Sequence, residues 1–211
     1  MCLIIHAGKN QPIPEFIINS AKERNRDGWG VVWFANGKLH MKKSLLMDKL
    51  NPALAKVEAY ERIIHLRMNT HGLTSLDNCH PFRVGDGLYF MHNGMMSEFD
   101  MVKGDMSDTA QFVSSILNPL AREIDPSTLL SAYWFRNMLE KYAGLGQKFA
   151  LMDSEGRVHR SGTGWIKHES GVFLSNSYAW SDPKKSYVST SYYGGGNARY
   201  LGPAKSADIE V

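Results

Sequence analysis

A cysteine at position two runs directly into Leu3-Ile4-Ile5-His6, and Ala7-Gly8 closes the run. So short and apolar a segment predicts a buried strand. A buried strand at the very start forces the remaining chain to cover both of its faces. It would also hold Cys2 rigidly. If the initiator methionine is removed, as the small cysteine side chain favours, Cys2 carries a thiol and a free α-amine. An α-amine has an ordinary pKa of about 7.7–8.0, so it can act as a base near neutrality. The thiol, near 8.5, is intrinsically nucleophilic. One residue then supplies both nucleophile and general base. The plainer alternative is a small buried hydrophobe, the usual role of a free cysteine.

With 211 residues there is enough chain for one large domain with a full core. A net charge of +3 argues for neither nucleic acid nor a membrane surface as partner. No apolar run approaches the ~20 residues that span a bilayer, and the start lacks the pattern of a secretory signal. Cys2 and Cys79 are the only cysteines. Two thiols are no disulfide framework, so a reducing compartment, the cytoplasm, is expected.

Along the chain, Pro14 to Lys22 predicts a helix with Pro at its start and Glu15 in its first turn. Asp27-Gly28 is a turn, followed by a strand from Trp29 to Phe34. Asn36-Gly37 is the strongest hairpin signal, returning through Lys38 to Met41. Lys49 to Tyr60 predicts a helix that tolerates Pro52 only in its first turn. Glu61 to Arg67 and Gly87 to His92 predict strands. Asn93-Gly94 would be a hairpin turn, but Met95 to Asp100 does not alternate, so a loop at a strand end is expected instead. Ser107 or Asp108 can cap the helix that follows. A further helix is expected from Thr128 to about Tyr142, with Leu129, Leu130, Tyr133, Trp134, Met138 and Leu139 as its large apolar residues. The last third predicts a hairpin over 147–160 and a strand over 171–176. From about residue 181 the chain is polar and Gly-rich, a C-terminal extension to a single domain spanning 1–211.

Six segments then fall in a telling order: Met1-Cys2, Asn25-x-Asp27-Gly28-Trp29-Gly30, His65-x-Arg67-x-x-Thr70-His71-Gly72, Asn78-x-His80-Pro81, His92-Asn93-Gly94 and Ser107-Asp108-Thr109. As an ordered set they resemble the glutaminase domain of the class II glutamine amidotransferases, a family of N-terminal-nucleophile hydrolases. The likeness is specific from Cys2 to about Asn118 and looser up to Ser177. It implies an α+β fold, a four-layer α-β-β-α sandwich of antiparallel sheets. It also implies hydrolysis of the side-chain amide of glutamine through a thioester on Cys2, with no cofactor.

The family pattern assigns roles by position. Asn93 and the backbone N–H of Gly94 become the oxyanion donors, placed where charge develops. Arg67 becomes the clamp on the substrate α-carboxylate and Asp108 the anchor of its α-ammonium. Thr70, His71 and Gly72 form pocket wall and loop. The small-molecule substrate is glutamine or another γ-glutamyl compound. An ammonia-accepting partner protein is allowed for, because 211 residues leave no room for the second domain of larger relatives. Two alternatives stay open: a stand-alone hydrolase of γ-glutamyl peptides or conjugates, and a non-catalytic glutamyl-binding or regulatory module. The histidines 65, 71, 80 and 92 lack tight ligand spacing, so they are expected to be structural hydrogen-bonders rather than a metal site. The late strand departs from the family: Asn176 follows Ser175 where an acidic residue is common.

Overall fold

The computed structural model describes residues 2–69, 72–99, 105–144 and 146–182. Among these residues, ten strands form two antiparallel sheets. The larger sheet has the order β3-β2-β4-β1-β10-β9, and the smaller β5-β6-β7-β8. In the first, β1 is Leu3–Ala7, β2 Trp29–Ala35, β3 Lys38–Ser44, β4 Arg62–Leu66, β9 Ile166–Lys167 and β10 Phe173–Leu174. In the second, β5 is Phe82–Val84, β6 Leu88–Asn93, β7 Lys148–Asp153 and β8 Val158–Ser161. The turn between β2 and β3 has positive φ at both Asn36 and Gly37, as a two-residue hairpin that follows strand twist requires.

Alternation along the strands builds the layers. Leu3, Ile5 and Ala7 of β1 point out of the sandwich, into a core completed by helices α1 (Glu15–Arg24) and α2 (Leu50–Val57). Ile4 points the other way, into a narrow layer shared with Met91, Ala150 and Met152 of the second sheet. Phe90, Phe149 and Leu151 face outward again, under the helices of the 108–143 region. Each fully buried Ile, Leu or Phe in these layers stabilises the fold by about 1.5–3 kcal/mol. The expected four-layer α-β-β-α sandwich is therefore what the chain adopts, with β1 central and buried on both faces.

Helix α3 (Asp108–Phe112) opens with Ser107 as its cap, whose Oγ accepts the Ala110 amide at 3.2 Å. Asp108 is thus left free of the capping role. A π-type turn over Val113–Leu117 carries the chain into α4 (Asn118–Glu123). The single helix expected from Thr128 is interrupted. A short α5 (Pro126–Leu129) closes with tight bonds from Ser131 and Ala132 to the carbonyls of Thr128 and Leu129, and α6 starts afresh at Tyr133 and runs to Ala143. The break keeps Leu129, Leu130 and Phe135 in the core but turns Tyr133 and Trp134 outward, 75% and 47% exposed. Among the described residues, no helix is long and apolar enough to cross a membrane. Residues from 183 on, most of the expected extension, lie outside the described residues.

Candidate active site

The site gathers at one end of the sandwich, where β1 begins and β4, β6 and β10 end. Cys2 Sγ lies 3.4 Å from both the backbone N and O of Met68, the residue after Arg67. Burial pushes the Cys2 thiol above its ordinary pKa; the Met68 backbone and the Arg67 guanidinium pull it down but do not cancel the burial. The carbonyl of Cys2 accepts the Nδ2 of Asn176 at 2.8 Å.

Arg67 follows β4 and is 4% exposed. Its Nη2 donates to Asn69 Oδ1 at 2.9 Å and to the Leu73 carbonyl at 3.2 Å. The Asp27-Gly28 turn braces this segment. Arg67 N donates to the Gly28 carbonyl, Asp27 N donates to the Arg67 carbonyl, and Asp27 Oδ2 accepts Asn69 N at 2.6 Å. Gly72 belongs to the same loop and accepts the Asn69 amide through its carbonyl. Thr70 and His71 lie outside the described residues.

Asn78 joins this loop to the α3 start. Its Nδ2 donates to the carbonyls of Leu73 and Asp105, and its Oδ1 accepts Ser107 N at 2.8 Å. Asp108, 9% exposed, accepts the Thr109 amide on Oδ1 at 2.6 Å and the Met96 amide on Oδ2 at 2.8 Å. Thr109 Oγ1 also donates to Oδ1 at 3.2 Å, so Oδ2 keeps the further acceptor site, and these bonds do not exclude an ammonium.

Asn93 ends β6 and is 4% exposed, and its Nδ2 donates to Ser175 Oγ at 2.7 Å. Gly94 has φ +149, and a Cβ there would lie 3.0 Å from Gln147 Cα. Both the backbone angle and the space require glycine. The segment leaves the sheet as a loop, since β6 pairs with β7 and not with the residues that follow it.

Behind these groups sit three buried histidines. His65 Nε2 meets the His92 carbonyl at 3.2 Å, and His92 Nδ1 meets Thr109 Oγ1 at 2.9 Å. His80 corrects the expectation of a hydrogen-bonder: its ring stacks on His65 at 3.9 Å, and neither nitrogen has a partner among the described residues. Burial drives His65 down to about 3 and His92 to about 4, and holds His80 well below the ordinary value, so all three are neutral. Among the described residues, no three His, Cys, Asp or Glu side chains are grouped to hold a metal ion. Cys79 is buried beside Gly28, its Sγ 3.4 Å from the Trp29 carbonyl, and burial pushes its thiol up to about 11.

Sequence reasoning did not find the parts played by Ser175 and Asn176, which tie β10 to Cys2, Ile4 and Asn93. The signals were a serine and a polar residue at the end of an apolar strand, and the departure from the family pattern at Asn176, neither of which pointed to these contacts.

A family model described as glutamine amidotransferases class-II matches residues 16–160, more than half of the chain. A probable glutamine amidotransferase of Saccharomyces cerevisiae is 31% identical over 96 residues, 41% of this chain and 27% of that protein. A glutamine–fructose-6-phosphate aminotransferase (isomerizing) of Caulobacter vibrioides is 29% identical over 113 residues, 51% of this chain and 18% of that protein. The chain thus spans well under half the length of the curated relatives it matches. The solved glutamine phosphoribosylpyrophosphate amidotransferase from B. subtilis, complexed with ADP and GMP, superposes with a TM-score of 0.52 at 18% identity, covering 85% of this chain and 42% of that one. At that identity the likeness is one of fold.

Proposed function

Because the chain belongs to the class II glutamine amidotransferases, we propose that it releases ammonia from the side-chain amide of glutamine through a thioester on Cys2. The observation that carries this reading is the convergence near Cys2: its sulfur rests on the backbone beside Arg67, and Ser175 links Ile4, two residues further along the chain, to Asn93.

In this reading Met1 is removed and the amine of Cys2 takes the thiol proton. The thiolate attacks the amide carbon, and the carbonyl oxygen becomes an oxyanion held by Asn93 and the Gly94 N–H. Collapse breaks the C–N bond, and the protonated amine gives its proton to the departing ammonia. Water, deprotonated by the same amine, then cleaves the thioester to glutamate. Arg67 would hold the α-carboxylate and Asp108 the α-ammonium, with Thr70, His71 and Gly72 as pocket wall. The ammonia would pass to a partner protein. The site is that of a single domain acting in the cytoplasm, a setting that two unpaired cysteines fit.

The test is ammonia release from glutamine by wild type and Cys2→Ala, with intact mass of the active protein. The expected result is turnover that needs Cys2, in protein lacking Met1. Active protein that fully retains Met1 would refute the amine as base.

A further inference from the structure

We propose that Ser175 is a positioning residue that sets the direction of the Asn93 carboxamide; this rests on the oxyanion role given to Asn93 above. Ser175 is fully buried at the end of β10, one residue beyond the pairing of Leu174 with Ile5. Its backbone N–H donates to the Ile4 carbonyl at 2.9 Å. In a regular antiparallel pair the Ile4 N–H would return to the Ser175 carbonyl. Here it goes to the Ser175 hydroxyl oxygen instead, at 2.9 Å.

That same oxygen accepts Asn93 Nδ2 at 2.7 Å. A hydroxyl has two acceptor sites; the two short bonds from Ile4 and Asn93 fill them, and Asn176 Nδ2 reaches the same oxygen only at 3.5 Å. The Ile4 bond fixes where the oxygen sits, because Ile4 lies in a central strand and is paired on both sides. The Asn93 amide nitrogen carries two protons. Ser175 takes one, and the other is aimed by the plane of the amide.

The χ2 torsion of asparagine is broad and nearly two-fold. Without an acceptor at Ser175, the carboxamide can turn over and present Oδ1 where the oxyanion forms. An oxygen in that place repels the charge that the nitrogen would stabilise. Ser175 therefore acts on the transition state through Asn93 and leaves ground-state binding of the glutamyl group alone.

The experiment is steady-state kinetics on glutamine for Ser175→Ala, Asn93→Ala and the double variant, below their melting temperatures. Ser175→Ala is expected to lower kcat by about 10- to 100-fold, with KM within about twofold, a loss between that of one hydrogen bond and that of a whole oxyanion donor. The double variant is expected to lose no more than Asn93→Ala alone, since residues that act as a unit are not additive. Multiplied losses in the double variant, or a Ser175→Ala effect confined to KM, overturn the proposal. Ser175→Ala also leaves Ile4 N–H unpaired. If it does not fold, Ser175→Cys decides, because a thiol keeps a weaker acceptor in the same space. It should lose kcat by several-fold, and a kcat equal to wild type overturns the proposal. If Asn93→Ala itself leaves kcat unchanged, the oxyanion assignment fails. If only Asn93→Ala is crippled, the inference about Ser175 alone fails.

Discussion

The Oδ2 of Asp108 accepts the backbone N–H of Met96 at 2.8 Å, two residues past Gly94. The group expected to anchor the substrate ammonium thus also holds the loop that carries the expected oxyanion donors. Asparagine at 108 removes the charge, and its NH2 cannot accept from either Met96 or Thr109. Asp108→Asn is therefore expected to raise KM at least tenfold and also to lower kcat, as the loop shifts. Arg67→Lys replaces a planar fork with a point charge and should act mainly on KM. Glutamine and a γ-glutamyl dipeptide share the glutamyl half, so both substrates should show the same pattern. An Asp108→Asn protein with wild-type kcat, or Arg67→Lys with unchanged KM on both substrates, would sink these assignments.

The two cysteines are expected to separate cleanly. Cys2→Ala should abolish turnover while folding and glutamine binding survive. Cys79 is buried, and its thiol is pushed up to about 11, so almost none is ionised at neutrality. Cys79→Ser should cost less than about threefold in kcat/KM. An electrophilic glutamine analogue should add a single mass label, on Cys2. A label on Cys79, or activity that survives Cys2→Ala, would reverse the assignment.

Much of this was legible from local pattern. The run Leu3-Ile4-Ile5 is apolar at every position because both faces of β1 are buried. Asn93-Gly94 could be read as a loop because Met95 to Asp100 lacks a returning strand, and β6 does pair elsewhere. The break at 130–132 was hidden because apolar residues continue through it: Leu129 and Leu130 before, Tyr133 and Trp134 after. Ser175 and Asn176 were hidden for another reason. Their bonds to Ile4 and Cys2 close over 171 and 174 residues, and no local periodicity encodes such contacts. The stacking of His80 on His65 is likewise a product of tertiary packing, invisible in the spacing of the histidines.

The buried histidines predict acid sensitivity. His65 at about 3 and His92 at about 4 stay neutral in the folded chain, where unfolded histidine titrates near 6.5. Between those values the unfolded chain binds protons that the folded chain does not, so stability falls as pH falls from about 6.5 toward 4. Each such histidine contributes up to about 1.4 kcal/mol per pH unit in that window. Urea midpoints should drop clearly between pH 7.5 and pH 5. His80→Phe keeps the stacked ring and removes two nitrogens that have no partner among the described residues. It should match wild type at pH 7.5 and lose less at pH 5. Equal midpoints at the two pH values in wild type would contradict the neutral cluster.

Asn176 offers the sharpest test of how Cys2 is held. Its Nδ2 donates to the Cys2 carbonyl at 2.8 Å, while its Oδ1 accepts Ala179 N at 2.9 Å. Both halves of the amide are used, and the side chain is 5% exposed. Asn176→Asp sets an oxygen against the Cys2 carbonyl. Only the protonated carboxylic acid can still donate there. Burial and the facing carbonyl both favour that protonated form, so the new group should titrate above the ordinary carboxylate range. Once ionised, it repels the carbonyl and the developing thiolate nearby. The loss of kcat/KM should therefore grow with pH, from a few-fold at pH 6 to more than about tenfold at pH 8.5, one unfavourable charge contact being worth at least one pKa unit. The alkylation rate of Cys2 should reach half its maximum at a higher pH than in wild type. If Asn176→Asp shows the wild-type pH profile in both measurements, the Asn176 bond does not position the nucleophile.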